Sequence, residues 1–155
     1  MARALGGDRP EAAAKTAPAV TAFVDTSAWF ASVFAKDRHN ARAKALLSAE
    51  ALVTTDAVVL ETWLLLARRF NHVAAERFWA GIRSGAALVE RVLQSDFDAA
   101  WEIGATFPDQ EFSIVDRTSF AVMQRLGLSR VVSFDDDFAI YRYGRNRERA
   151  FEVLR

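Results

Sequence analysis

The sequence contains no cysteine among its 155 residues, and its two histidines are His39 and His72. Disulfides, thiolate metal sites and cysteine nucleophiles are therefore excluded, and the histidines lie too far apart for a local His-x-x-x-His zinc motif. The formal net charge is zero, because 20 basic side chains balance 20 acidic ones. Binding to nucleic acid or to anionic lipid would therefore have to come from a local patch rather than from the overall charge.

Long hydrophobic runs are also missing, since no segment approaches the roughly 20 apolar residues of a membrane-spanning helix. Residues 1–19 are rich in alanine but are interrupted by charged side chains, so they lack the unbroken apolar stretch of a secretory signal. We interpret residues 1–19 as a flexible, disordered leader and residues 20–155 as a single domain. Together with the absence of cysteine, these features predict a cytoplasmic protein without membrane contact.

Short apolar runs alternate with longer amphipathic segments along the rest of the chain. The runs predict strands at 20–24, 51–54, 86–93, 130–134 and 151–154. The segments between them predict helices at 27–34, 39–49, 57–70, 73–84, 95–107 and 114–126. Strands that alternate with helical segments are typical of an α/β fold, and we expect a three-layer α/β/α sandwich with a mainly parallel central sheet.

Acidic residues stand at the ends of predicted strands or early in the helices that follow them. Asp25 follows the first strand, Glu61 lies a turn into the helix after the second strand, and Asp116 is in the first turn of a helix that begins at Ser113. Three aspartates, 135–137, follow the strand at 130–134. Because ligands bind at the carboxyl ends of parallel strands, these acids could meet at one edge of the sheet. A hard cation such as Mg²⁺ or Mn²⁺ would relieve their mutual repulsion, and could bind a phosphate and activate water.

Each acid also has a purely structural interpretation. Asp25 could simply cap the following helix, and Asp116 has the spacing from Ser113 that a capping box requires. The aspartates at 135–137 could form a solvated turn. Glu61 has no basic partner within one helical turn, so either a metal or an arginine from elsewhere in the chain would have to satisfy it.

Four strings resemble, in order, the successive motifs of PIN-domain nucleases: FVDTSAWFA at 23–31, VLETWLLLA at 59–67, FSIVDRTSFAVMQRLGL at 112–128 and VVSFDDDF at 131–138. The likeness spans nearly all of residues 20–155, and within the family it is nearest to the VapC-type toxin ribonucleases of toxin–antitoxin pairs. The resemblance implies four catalytic and metal-binding acids: Asp25, Glu61, Asp116 and Asp135. It gives accessory roles to Asp137, Ser133 and Thr26. The run of three aspartates leaves the fourth acid ambiguous, and we assign Asp135 rather than Asp137.

The same resemblance implies a Mg²⁺- or Mn²⁺-dependent ribonuclease that cleaves single-stranded RNA and leaves a 5′-phosphate and a 3′-hydroxyl. Asp25 and Asp116 would hold the ion, while Glu61 and Asp135 would orient the attacking water. The implied partners are the RNA substrate and a cognate antitoxin protein, and a homodimer is a further expectation of the resemblance.

Basic residues are needed to attract RNA to such an acidic site. The segment 138–155 has five arginines against two glutamates and contains two tyrosines that could stack on bases. We predict the RNA-binding residues to be Arg117, Arg142, Arg145 and Arg147. A solvated basic tail without RNA contacts is the alternative interpretation.

Two other functions fit parts of the pattern. A PIN fold that has lost catalysis could serve as a binding module, although the presence of all four acids argues against it. A haloacid-dehalogenase-type phosphatase also has an aspartate after its first strand, but it needs a second aspartate two residues later, where this chain has Ser27.

Overall fold

The structure is a computed structural model that describes residues 21–49 and 51–155. The predicted leader at 1–19 lies outside the described residues. The strands are β1 (Thr21–Val24), β2 (Ala51–Thr55), β3 (Leu88–Glu90), β4 (Arg130–Val132) and β5 (Glu152–Leu154). The helices are α1 (Thr26–Val33), α2 (Asn40–Ala49), α3 (Asp56–Arg69), α4 (His72–Arg83), α5 (Gln94–Thr106), α6 (Ile114–Leu126) and α7 (Asp137–Ile140).

The five strands form one sheet in the order β3-β2-β1-β4-β5, and all four pairings are parallel. Central strand β1 is apolar along its length, and Ala22, Phe23 and Val24 are fully buried, as expected where both faces of a sheet are covered. The predicted three-layer α/β/α fold with a parallel sheet is confirmed. No helix among the described residues is long and apolar enough to cross a membrane.

The strand order reverses between β1 and β4, which makes their carboxyl ends the point where a crevice is expected. The chain first runs outward from β1 through β2 to β3, and then crosses to the other side of β1 to add β4 and β5. The backbone N–H of Asp25 donates to the carbonyl of Val132 at 3.1 Å, so pairing continues to the last residue of β4. The residues that follow these two strands therefore leave the sheet side by side.

An aromatic cluster fixes α6 and α7 against the sheet. Phe120 of α6 is fully buried, stacks on Tyr141 at 4.2 Å between ring centroids and meets Phe138 edge-on at 5.0 Å. Helix α7 was not predicted from the sequence. It is only four residues long, and burial of Phe138 in this cluster holds it in place.

Three predicted strands are shorter in the structure, and the smallest difference is in β5, which begins at Glu152 rather than at residue 151. Strand β3 covers only Leu88–Glu90 of the predicted 86–93. Strand β4 ends at Val132, whereas the prediction ran to residue 134, because the next two residues turn toward β1. There the Ser133 hydroxyl donates to Asp25, and the Phe134 N–H donates to the hydroxyl of Ser27.

An ion pair between the buried Asp96 and the more exposed Arg125 connects α5 to α6. Arg125 donates two hydrogen bonds to Asp96, at 3.0 and 2.9 Å, and a third to Glu90 at 3.2 Å. Asp96 is only 2% exposed, so losing its partner would leave a buried charge.

We expect Arg125→Met to lower the free energy of unfolding by about 3 kcal/mol, measured by urea denaturation. The exposed Arg83 is the matched control, and equal stability of the Arg125 and Arg83 variants would contradict this role.

Candidate active site

Four acids from four separate segments line one open cavity of about 590 Å³ at the carboxyl edge of the sheet. They come from the end of β1, the second turn of α3, the first turn of α6 and the turn after β4: Asp25, Glu61, Asp116 and Asp135. The expected meeting of these acids at one edge is therefore observed. Burial raises the pKa values of Asp25 and Glu61, and the nearby charge of Asp116 raises both further.

Asp25 is the most deeply buried of these acids and is 4% exposed. It caps α1 by accepting from the N–H of Ser27 at 3.3 Å, and it also accepts from the hydroxyls of Ser27 at 2.7 Å and Ser133 at 3.0 Å. Burial raises the pKa of Asp25 to about 6, the two hydroxyls oppose that rise, and the nearby charge of Asp116 adds to it. The capping interpretation is thus correct for Asp25, yet its carboxylate also faces the cavity.

Two serine hydroxyls join the ends of β1 and β4. The Ser27 oxygen donates to Asp25 and accepts from the backbone N–H of Phe134 at 3.0 Å. The Ser133 oxygen donates to Asp25 and accepts from the backbone N–H of Asp135 at 3.2 Å. Ser133 is one of the predicted accessory residues, whereas Ser27 is not among the predicted site residues.

Glu61 accepts a hydrogen bond from the hydroxyl of Thr26 at 2.6 Å. Burial raises the pKa of Glu61, the bond from Thr26 opposes this, and the charges of Asp116 and Asp135 raise it further. The donor that holds this glutamate is therefore a hydroxyl rather than an arginine. Thr26, predicted as accessory, fixes the orientation of a cavity-lining acid.

Asp116 caps the N-terminus of α6 and also lines the cavity. Its carboxylate accepts from the Ser113 N–H at 2.8 Å, and its own N–H donates to the Ser113 hydroxyl at 3.0 Å, which is the predicted capping box. Asp137 lies near enough to Asp116 for the two side chains to interact. Burial, together with the charges of Asp135, Asp116 and Asp25, raises the pKa of Asp137 to about 7.

Both candidates for the fourth acid therefore belong to the cluster. Asp135 lines the cavity and accepts from the backbone N–H of Asp137 at 2.9 Å, at the start of α7. Asp137 lies near Asp116, whose charge helps to raise the pKa of Asp137. The assignment of Asp135 over Asp137 stays a prediction.

The chemistry of the donor set fits a hard divalent cation. The acids offer only oxygen ligands, and the positive charge available to neutralise them at the cavity is small. Within residues 21–49 and 51–155, no three acidic or histidine side chains stand at the spacing of a ready-made metal centre. Mg²⁺ is commonly held by one or two carboxylates and several waters, so an ion of this kind does not require such a group.

Three lining residues that the sequence did not single out come from the loop between α1 and α2. Asp37, Arg38 and His39 face the same cavity as the four acids. His39 had been considered only for a zinc motif. This loop has neither a hydrophobic period nor a recognised motif, so the sequence held no signal that would place it here.

Arg117, a predicted RNA-binding residue, points away from the acids. It packs over Gly104 of α5, and its Nη1 donates to the carbonyl of Ala100 at 3.4 Å. There it lines a separate pocket of about 300 Å³ together with Trp101 and Phe112. A phosphate contact by Arg117 stays a prediction, and it would lie outside the acidic cavity.

The other predicted RNA-binding arginines lie together on a different surface. Arg142, Arg145 and Arg147 line a pocket of about 340 Å³ that also includes Tyr141 and Tyr143. The guanidinium of Arg147 lies over the ring of Phe107 at 4.9 Å. No described residue lines both this pocket and the acidic cavity. The predicted interleaving of arginine and tyrosine is therefore present as a basic surface, and its role in RNA binding stays a prediction.

The parallel α/β/α fold and the acids at the reversal of strand order are the features that the motif resemblance implies for a PIN-domain nuclease. The chain belongs to the PIN-domain family, whose model, described as "PIN domain", matches residues 22–143. It is similar to the 23S rRNA-specific endonuclease VapC20 of two strains of Mycobacterium tuberculosis, with 40% identity over 119 residues that cover 76% of this chain and 91% of the relative.

A solved structure agrees with this assignment. The crystal structure of M. tuberculosis VapC20, described as a Sarcin-Ricin loop cleaving toxin, matches with a TM-score of 0.71 and 39% identity. The match covers 76% of this chain and 92% of that one. The predicted resemblance to PIN-domain nucleases, and within them to VapC-type toxins, is confirmed.

Proposed function

We propose that this protein is a Mg²⁺- or Mn²⁺-dependent endoribonuclease that cleaves single-stranded RNA and acts as the toxin of a toxin–antitoxin pair. The observation that carries the proposal is the meeting of Asp25, Glu61, Asp116 and Asp135 in one open cavity. Similarity to a 23S rRNA-specific endonuclease supports a nuclease over a phosphatase. It also makes an exposed loop of ribosomal RNA the first substrate to test.

The four acids have different roles in the proposed hydrolysis. Asp25 and Asp116 would hold the cation, which supplies neutralising charge for the phosphate and favours ionisation of the attacking water. Glu61 and Asp135 orient that water and accept its proton. The water oxygen bonds to phosphorus while the bond to O3′ breaks, which leaves a 5′-phosphate and a 3′-hydroxyl.

Hydroxyl donors keep these acids in position. Thr26 holds Glu61 at 2.6 Å, and Ser133 holds Asp25 at 3.0 Å. Both hydroxyls stabilise the ionised form of the acid they contact. We assign them as positioning residues, with Asp137 as an additional acid beside Asp116.

RNA binding requires positive charge beyond the acidic cavity, because the acids alone repel phosphates. The pocket of Arg142, Arg145 and Arg147 provides three guanidinium groups beside two tyrosines. We propose that the RNA strand extends over this surface, where arginine contacts phosphates and tyrosine stacks on bases. Arg117 would add a phosphate contact on the α5 side.

Protein partners are expected at exposed apolar side chains of α3 and α5. Leu60 and Leu64 on α3 are 66% and 59% exposed, and Trp101 on α5 is 75% exposed. Large apolar side chains that are exposed to solvent often mark surfaces that bind another protein. We propose a cognate antitoxin as the regulatory partner, a homodimer as the assembled form, and the cytoplasm as the site of action.

Cleavage assays on end-labelled RNA test this function. The purified protein is incubated with a synthetic ribosomal RNA loop in Mn²⁺, in Mg²⁺ or in EDTA, and the ends of the products are identified. We expect fragments with 5′-phosphate ends in the presence of metal and none in EDTA. RNA binding without cleavage would favour the inactive binding module instead, and hydrolysis of small phosphomonoesters without RNA cleavage would favour the phosphatase.

A further inference from the structure

Two aromatic rings form a flat stack at the rim of the acidic cavity. The imidazole of His39 lies on the ring of Phe134 with centroids 4.4 Å apart and planes 14° apart. Both residues line the cavity, and Phe134 directly precedes Asp135. A parallel ring pair from two distant segments therefore borders the acids.

The loop that carries His39 is held in one conformation by its own hydrogen bonds. The His39 N–H donates to the Asp37 carboxylate at 2.7 Å. The Asn40 side chain donates to the carbonyls of Ala31 at 2.7 Å and Ser32 at 3.1 Å, which ties the loop to the end of α1. The position of the imidazole is thus set before any ligand arrives.

Arg38 supplies positive charge at the same place. It is exposed, and its Nε donates to Nε2 of His39 at 3.0 Å, which leaves the two Nη groups available for a ligand. Among the described residues, Arg38 is the only lysine or arginine that lines the cavity, where Asp37 and the four candidate catalytic acids supply negative charge. A phosphate that enters this cavity therefore meets the guanidinium of Arg38.

We propose that Arg38, His39 and Phe134 form a nucleotide subsite that holds the unpaired base and the phosphate next to the cleaved bond. The base stacks on the His39–Phe134 pair, because single-stranded nucleic acids bind by stacking on aromatic rings. The two Nη groups of Arg38 contact the adjacent phosphate. This inference rests on the proposed ribonuclease function and adds substrate-positioning residues to it.

The test measures RNA affinity separately from cleavage. Fluorescence anisotropy in EDTA gives the Kd of a labelled single-stranded oligoribonucleotide for the full-length protein. His39→Ala is expected to weaken binding roughly 10-fold, while His39→Phe retains wild-type affinity because it keeps a stacking ring. Arg38→Ala is expected to lower the slope of log K against log salt by about 0.7, the value for one lost phosphate contact on a single strand.

Matched controls come from the other histidine and a distant arginine. His72 contacts the ring of Trp63 edge-on and does not line the cavity, and Arg83 is exposed at the end of α4. His72→Ala and Arg83→Ala should bind RNA as the wild type does. A loss of affinity in these controls equal to that in the subsite variants would overturn the assignment.

Abasic oligonucleotides locate the stacked base. The wild-type protein should lose roughly 10-fold in affinity when one particular nucleotide lacks its base, and His39→Ala should be insensitive to that same change. If His39→Ala keeps the wild-type sensitivity, or if His39→Phe binds as weakly as His39→Ala, no base stacks on this ring and the subsite is refuted.

The two proposals fail in different ways. Wild-type protein that binds the RNA but does not cleave it with Mn²⁺ refutes the nuclease, and the anisotropy series still reports on the subsite. Cleavage by the wild type, with unchanged RNA affinity in both the Arg38 and His39 variants, refutes the subsite alone.

Discussion

Replacing Asp116 by asparagine is expected to lower kcat for RNA cleavage at least about 100-fold and to leave the fold intact. The amide keeps the shape of the carboxylate, and its oxygen can still accept the 2.8 Å hydrogen bond from the Ser113 N–H. The charge that would hold the cation is lost, and substitutions around metal sites cost activity on this scale. Single-turnover cleavage in saturating Mn²⁺ measures the effect.

Asp98 offers the matched control for the Asp116 variant. It lies on α5, pairs with Gln94 at 3.0 Å and is not part of the acidic cavity. Asp98→Asn should cleave at the wild-type rate. If Asp116→Asn also retains that rate, the assignment of Asp116 as a metal ligand is wrong, and the PIN-like site would have to work through other acids.

The second large effect is a loss of stability in the metal-free protein as the pH rises. Asp25 and Asp137 have pKa values of about 6 and about 7 in the folded protein, both raised from 3.8. The folded state therefore binds more protons than the unfolded state between about pH 4 and pH 7, and raising the pH across this window destabilises the fold. In EDTA, we expect the melting temperature to be several degrees lower at pH 8 than at pH 5.

Removing one of these charges should reverse part of that loss. At pH 8 in EDTA, Asp137→Asn is expected to melt about 3 °C above the wild type, because a repulsive carboxylate becomes neutral. Mn²⁺ should raise the melting temperature of the wild type at the same pH, since the ion compensates the clustered charge. Asp98→Asn again serves as the control. A lower melting temperature for Asp137→Asn than for Asp98→Asn would mean that repulsion among these acids does not limit stability.

The hydrophobic pattern predicted most of the fold, because apolar residues recur regularly along the buried helices and strands. Strand β1 reads as a continuous apolar run, and α6 has a serine cap at Ser113 and a left-handed Gly127 at its end, with φ of 68°. Helix α7 could not be predicted in this way. Its four residues have no period of their own, and the cluster that buries Phe138 is assembled from distant parts of the chain.

The sequence predicts the acids of the candidate site, because the sheet topology sets their positions. It does not predict the lining residues that a loop contributes. The acids meet because parallel strands bring their carboxyl ends to one edge, which the motif order already implied. Arg38 and His39 reach the cavity through a turn fixed by individual hydrogen bonds, and such turns leave no periodic signal in the sequence.

Neighbours in sequence do not share a helix face, and this explains the position of Arg117. Consecutive helical residues point about 100° apart, so Asp116 faces the cavity while Arg117 lies against α5. The capping interpretations of Asp25 and Asp116 are correct, and both acids also line the cavity, so the structural and functional interpretations hold together.

The hydrogen bond between Ser133 and Asp25 joins residues 108 positions apart in the chain. A growing polypeptide on the ribosome consequently displays its first acid long before the residues that support it exist. Such a truncated product has no complete cavity, because β4 has yet to insert beside β1. The cavity is therefore complete only when nearly the whole chain has been synthesised and β4 has paired with β1.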